Sequence, residues 1–198
     1  MARVLALLIT LVFAVACSEE SPRRTAPPVP QSNPMADFQA EVAKDPKNAD
    51  AWFHLADIYE RNGMYREEID ALLKMTALTP EQGYPYFKLG TTYNRLGQFD
   101  DAIKSFQKAK RTLSKNPMLH NNLAYAYGKA GRINDEIASL SEAIKLRPSY
   151  ATARFNLGMA YLKQGRKEDA RREYRALLKI DEGVAQSLSK EIEKGKRT

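Results

Sequence analysis

Few side chains in this sequence could do covalent chemistry. One thiol, Cys17, and two imidazoles, His54 and His120, lie far apart in a chain of 198 residues. A lone cysteine excludes an intrachain disulfide, a multi-cysteine zinc site and a paired-thiol redox centre. The carboxylate pairs Glu67-Glu68 and Asp100-Asp101 fall where helices begin, and complementing the helix dipole accounts for them. A nucleophile elbow, a P-loop, an HExxH helix, an EF-hand loop and a dinucleotide fingerprint are all missing. These residues predict no catalysis, no metal and no cofactor. A composition of 43% apolar and 28% charged residues is that of a globular protein, and a net charge of +7 is too small to imply a nucleic-acid partner.

The elements that would position a recognition surface repeat along the chain. Four segments starting at Ala49, Gly83, Pro117 and Ala151 align without a gap at a spacing of 34 residues. Position 7 is Leu55, Leu89, Leu123 and Leu157; position 8 is Ala56, Gly90, Ala124 and Gly158; position 11 is Tyr59, Tyr93, Tyr127 and Tyr161. These three positions share one helical face, and the small residue lets a second helix approach closely. Gly63, Gly97, Gly131 and Gly165 at position 15 suit the left-handed backbone that ends a helix. Positions 20, 24 and 27 of a second helix face back toward the first. Pro80 and Pro148 then stop that helix. Position 4 runs Trp52, Tyr86, His120, Arg154, so its aromatic is lost in the last two copies. The last repeat, closing on Glu182 rather than proline, is expected to pack more loosely.

This pattern resembles the tetratricopeptide repeat. The resemblance implies an all-α, right-handed solenoid of antiparallel helix pairs: four repeats (49–82, 83–116, 117–150, 151–182), an N-terminal half-unit at 35–46 and a capping helix at 184–194. The capping helix would cover the last apolar face with Val184, Leu188 and Ile192. In that family the first helices line a concave groove that receives a partner protein. Carried over position by position, the groove would be lined by His54, Lys88, Asn122 and Asn156, with Phe53, Phe87, Asn121 and Phe155 beside them. Asp57, Thr91, Tyr125 and Met159 follow, and Tyr84 lies at the edge. Asn122 and Asn156 would form successive amide rungs that pair with an extended peptide backbone, Lys88 would extend the row, and Phe87, Tyr125 and Phe155 would offer apolar pockets. His120 is expected in the core. The family's carboxylate clamp for acidic C-terminal tails is not reproduced.

A second candidate surface is basic. Between Ala102 and Asn134 there are seven basic residues and no acidic one, and Lys104, Lys108, Arg111 and Lys115 recur at helical spacing. They would form a stripe on the convex side of the second helix of repeat two. Such a stripe either is plain solvated surface or contacts a polyanion: a cell-wall polymer, lipopolysaccharide or an anionic lipid.

The N-terminus reads as an address. One Arg precedes an uncharged run of thirteen residues, Val4 to Ala16, too short for a membrane span and the right length for a secretory signal core. The sequence Phe13-Ala14-Val15-Ala16-Cys17 resembles the lipobox of bacterial lipoproteins. That resemblance implies a signal peptide at 1–16, lipidation of Cys17 and a protein exported to the cell envelope, anchored in the outer membrane and facing the periplasm. Residues 17–34 carry five prolines and no glycine, a composition that predicts an extended tether. The expected function is a membrane-anchored scaffold for envelope proteins, similar in build to pilus-assembly, outer-membrane-assembly and cell-wall-hydrolase adaptors. No nucleic acid is expected because export removes the domain from the cytoplasm. The oligomeric state is left open.

Overall fold

The structure, a computed structural model, describes residues 33–194; the signal, Cys17 and nearly all of the tether lie outside them. The described residues form ten helices and no strand: α1 (Pro34–Lys44), α2 (Ala49–Arg61), α3 (Tyr65–Leu78), α4 (Gly83–Arg95), α5 (Phe99–Leu113), α6 (Pro117–Lys129), α7 (Ile133–Leu146), α8 (Ala151–Lys163), α9 (Lys167–Leu177) and α10 (Glu182–Lys194). Successive helices pack as hairpins, α2 on α3 through α8 on α9, with α1 before the first pair and α10 covering α8 and α9. α1 starts at Pro34, just inside the expected tether, because the Asn33 side chain caps it and proline suits the first turn. α10 starts two residues earlier than expected, where Asp181 Oδ1 accepts from Val184 N at 3.0 Å.

The turn inside each repeat has one solution, used four times. Gly63, Gly97, Gly131 and Gly165 have φ between 70° and 75°. In each repeat the amide that follows the glycine donates to the carbonyl of the tyrosine at position 11: Met64 to Tyr59, Gln98 to Tyr93, Arg132 to Tyr127, Arg166 to Tyr161, at 2.8–2.9 Å. This is the six-to-one bond of a Schellman motif, which satisfies a helix-end carbonyl and fixes the exit of the chain. Close approach is enforced at position 8. A Cβ on Gly90 would sit 2.7 Å from the Phe106 ring, so glycine is what lets fully buried Phe106 fill the space between α4 and α5. Burying such a ring contributes roughly 1.5–3 kcal/mol.

In three of the four repeats the position-4 side chain makes the same hydrogen bond, while Tyr86 in repeat two packs against the core. Trp52 Nε1 donates to Pro46 O at 3.0 Å, His120 Nε2 to Ser114 O at 2.7 Å, and Arg154 Nε to Pro148 O at 2.9 Å. Each donor reaches the carbonyl six residues earlier and ties a first helix to the loop before it. The last repeat is therefore not loosened by Arg154. The guanidinium also pairs with Glu173 at 2.8 Å, and both side chains are largely buried. His120 is buried, as expected of a core residue.

Candidate functional site

The first helices α2, α4, α6 and α8 are joined side by side by polar bridges, and these bridges decide which groove residues stay free. Between α2 and α4 the bridge is ionic. Lys88 Nζ lies 2.6 Å from Asp57 Oδ1 and 2.6 Å from Glu60 Oε2, while Arg95 Nη1 reaches Glu60 Oε1 at 2.8 Å. The Lys88 hydrogen bond outweighs burial and holds the Glu60 carboxyl below its usual range, with Arg95 adding to the effect. Burial works against the Lys88 ammonium, but hydrogen bonds to both carboxylates raise its pKa on balance. Lys88, with its side chain 10% exposed, is thus not the free rung its place in the row implies. It and Asp57 are engaged with each other because position 6 of one repeat faces positions 9 and 12 of the repeat before.

Between α4, α6 and α8 the bridges are amides. Asn94 Nδ2 donates to Asn122 O at 3.1 Å, and Asn156 Nδ2 donates to Asn121 Oδ1 at 3.2 Å. The rung therefore runs from Asn156 to Asn121 rather than directly from Asn156 to Asn122. Asn121, expected to line the groove, is buried. Asn122 remains half-exposed and closes the set through a long 3.5 Å contact from Asn121. The Oδ1 of Asn156 stays available on this face.

The aromatic side chains divide the same way. A chain of rings crosses α1, α2, α4 and α5: Phe38 stacks on His54 at 4.8 Å, Phe53 meets Tyr84 at 5.9 Å, Tyr84 stacks on Phe87 at 6.2 Å, and Phe87 meets Phe106 at 5.9 Å. Tyr84 is 53% exposed and Tyr125 47%, while Phe87 packs partly against the core. Phe155, expected to offer an apolar pocket in the groove, is partly buried, and Met159 lies near it. They pack toward the cluster that α10 completes with Leu177, Ala185 and Leu188, since the capping helix covers the end of the array.

Sequence reading missed a cleft on the α6–α8 half. It measures 340 Å³ and is lined by Tyr125, Lys129, Glu136, Asn156, Met159 and Lys163, with Gly128 at its floor. A Cβ at Gly128 would lie 2.6 Å from the Glu136 carboxyl carbon, so glycine lets a carboxylate of the second helix reach this face. Lys163 Nζ sits 3.2 Å from each Glu136 oxygen. The signal that could have found the cleft is periodic. Arg61, Arg95, Lys129 and Lys163 stand 34 residues apart at position 13 and end all four first helices, where a cation also complements the helix dipole.

The convex stripe is shorter than its spacing implies. α5 ends at Leu113, so Lys115 lies in the turn before α6 rather than on the helix. On the helix, Lys104 pairs with Asp101 at 3.2 Å, Lys108 lies 5.2 Å from the Tyr86 ring centroid, and Arg111 is 3.7 Å from Glu81. All three cations are exposed and each already has a local partner.

Paired helices, a left-handed glycine in the turn inside each repeat and first helices set side by side define a helical-repeat scaffold. Models of the tetratricopeptide repeat match residues 38–70, 87–150 and 121–185. The chain belongs to the tetratricopeptide repeat family, whose solenoids are protein–protein interaction scaffolds. Similar solved structures include MamA, 21% identical over 77% of this chain and 89% of that one with a TM-score of 0.72. YrrB, described as a protein of the same repeat class with an unusual peptide-binding site, is 21% identical over 79% of this chain and 81% of that one, with a TM-score of 0.72. A MamA segment from Desulfovibrio magneticus RS-1 is 12% identical over 75% and 84%, with a TM-score of 0.71. At these identities the likeness is one of fold. Among curated proteins no sequence match is found.

Proposed function

We propose that this protein is a lipid-anchored docking module of the bacterial cell envelope that holds an extended segment of a partner protein along its first helices. The observation that carries the reading is the exposed ring of Tyr125 in one cleft with the amide of Asn156, with the exposed Tyr84 ring and the half-exposed Asn122 on the same row of first helices. Apolar rings that remain half in solvent offer contact area at low ordering cost. Amides beside them supply the donors and acceptors that an extended backbone needs. The peptide-binding site named for YrrB is consistent with this use of the fold. The lipobox-like sequence ending at Cys17 supports the anchor, and two or more acyl chains there would hold the protein at a membrane stably.

The test combines both halves. A photo-crosslinking amino acid in place of Tyr84 is expected to trap a partner in envelope fractions, and Asn122→Ala with Asn156→Ala to abolish that capture while helix content stays unchanged. Fatty-acid incorporation is expected to vanish with Cys17→Ala. Crosslinks confined to the convex Lys104 position would remove the groove reading, and unchanged localisation of Cys17→Ala would remove the anchor.

A further inference from the structure

We infer that the segment held on this face is acidic, with its carboxylates seated between Lys129 and Lys163 and its apolar side chains on the rings of α2 and α4. The inference rests on the docking reading above and names the chemistry of what docks. It comes from the way the two halves of the face handle charge. In the α2–α4 half two carboxylates meet two cations: Asp57 and Glu60 take Lys88 and Arg95 at 2.6–2.8 Å. That cluster is internally neutral, its central ammonium is nearly closed to solvent, and the other cation of α2, Arg61, donates from Nε to the Asp57 carbonyl at 3.1 Å.

The α6–α8 half is different. Neither α6 nor α8 contains an Asp or Glu. Lys129 has no carboxylate partner among the described residues, its Nζ lying 5.5 Å from the Tyr125 ring centroid. Lys163 is 47% exposed, and both its contacts with Glu136 are 3.2 Å long, so it keeps hydrogen-bonding capacity toward the cleft. Two cations and one carboxylate line the same 340 Å³ cleft, which leaves one positive charge unmatched beside a free amide oxygen on Asn156 and a half-exposed tyrosine. A carboxylate in the cleft completes this set; a cation would compete with Lys163 and face Lys129. Packed helices lie about 8–10 Å apart, and a chain in the polyproline II conformation advances about 3.1 Å per residue with three residues per turn, so acidic side chains three residues apart share a face and fit Lys129 and Lys163.

The occupant is a polypeptide rather than a polyanionic glycan because the face beside the lysines is made of rings and amides. The probe is a fluorescent synthetic peptide with Glu at every third position and Leu between, compared by anisotropy with the same peptide carrying Gln for Glu. Exposed charge pairs of this kind support about a tenfold preference for the Glu peptide. Lys129→Gln with Lys163→Gln is expected to erase the preference and Lys129→Gln alone to reduce it, while Lys145→Gln on α7 preserves it. Equal affinity for the two peptides, both crosslinking at position 84, overturns the acidic assignment and leaves the docking face standing. Crosslinking of either peptide to the convex position 104 and not to 84 overturns both. Heparin binding more tightly than the Glu peptide, with the same dependence on Lys129 and Lys163, overturns the assignment to a polypeptide.

Discussion

Replacing Glu68 by Gln tests how a repeat interface tolerates a charge where repeats two and four have none. Glu68 occupies the slot filled by Ala102 and Ala170 in repeats two and four, and it is 1% exposed. One carboxylate oxygen accepts from Thr92 Oγ1 at 2.9 Å, and the other has no hydrogen-bond partner. Burial, reinforced by the Glu60 charge, raises its pKa above 4.5 against the opposing Thr92 hydrogen bond and the charges of Lys88 and Arg95. Because the folded value exceeds the unfolded one, stability is intact below the unfolded pKa and is lost as pH rises through the folded pKa. Gln keeps the shape and the acceptor for Thr92 and removes the charge. An unsatisfied buried group costs roughly 1–3 kcal/mol, and a domain of this size gains about 2–4 °C in Tm per kcal/mol. The new amide N–H also lacks a partner, so the lower part of that range applies: a rise of about 2–6 °C near neutral pH. Thermal melts followed by circular dichroism across the acidic-to-neutral range should show the gain shrinking toward zero near the ordinary carboxylate pKa. A Tm that falls at neutral pH, or a gain that ignores pH, would refute the account of Glu68 as a charge held at a cost.

Lys88→Met should destabilise by about 1–3 kcal/mol near neutral pH, because Asp57 and Glu60 lose the cation between them while both stay partly exposed. Glu60 has a lowered folded pKa, so its contribution is present above the unfolded value and fades as pH falls. Urea titrations should therefore show the deficit narrowing in acid. Gly128→Ala sets the usual helix rule against a contact: alanine in α6 should gain up to about 1 kcal/mol over glycine, yet its Cβ would meet the Glu136 carboxyl at 2.6 Å. That carboxyl ends a flexible side chain and can swing aside, so only part of the gain is expected, with the full gain appearing when Glu136→Ala is added. A Gly128→Ala gain in Tm of the same size with and without Glu136 would show that the carboxylate does not pack on this glycine.

Much of the fold was legible because a solenoid makes the same local demands in every unit. Gly63 and its three counterparts end a first helix in the same way, so one backbone requirement shows as one residue type every 34 positions. Position 4 was less legible because what three of its four residues share is a donor rather than a shape. Trp52, His120 and Arg154 look unrelated in a sequence, yet each supplies an N–H to the carbonyl six residues earlier. The face itself was legible in its location and not in its state. Asn121 and Asn156 are joined across 35 residues, and Lys88 reaches Asp57 and Glu60 across 31 and 28. Those offsets differ from the repeat length because neighbouring first helices meet at different heights, and the pattern of one aligned column cannot show them. Lys129 and Lys163 make the complementary case, since their spacing is the repeat length itself. Helix-end capping explains that regularity in all four repeats, and what separates these two lysines from Arg95 is position 12 of the first helix before them, which is Glu60 ahead of Arg95 but Asn94 ahead of Lys129 and Gly128 ahead of Lys163. Charge that the fold consumes and charge that it leaves over are thus set by which columns pair across repeats, and that pairing gives one half of an otherwise periodic surface its unmatched cation.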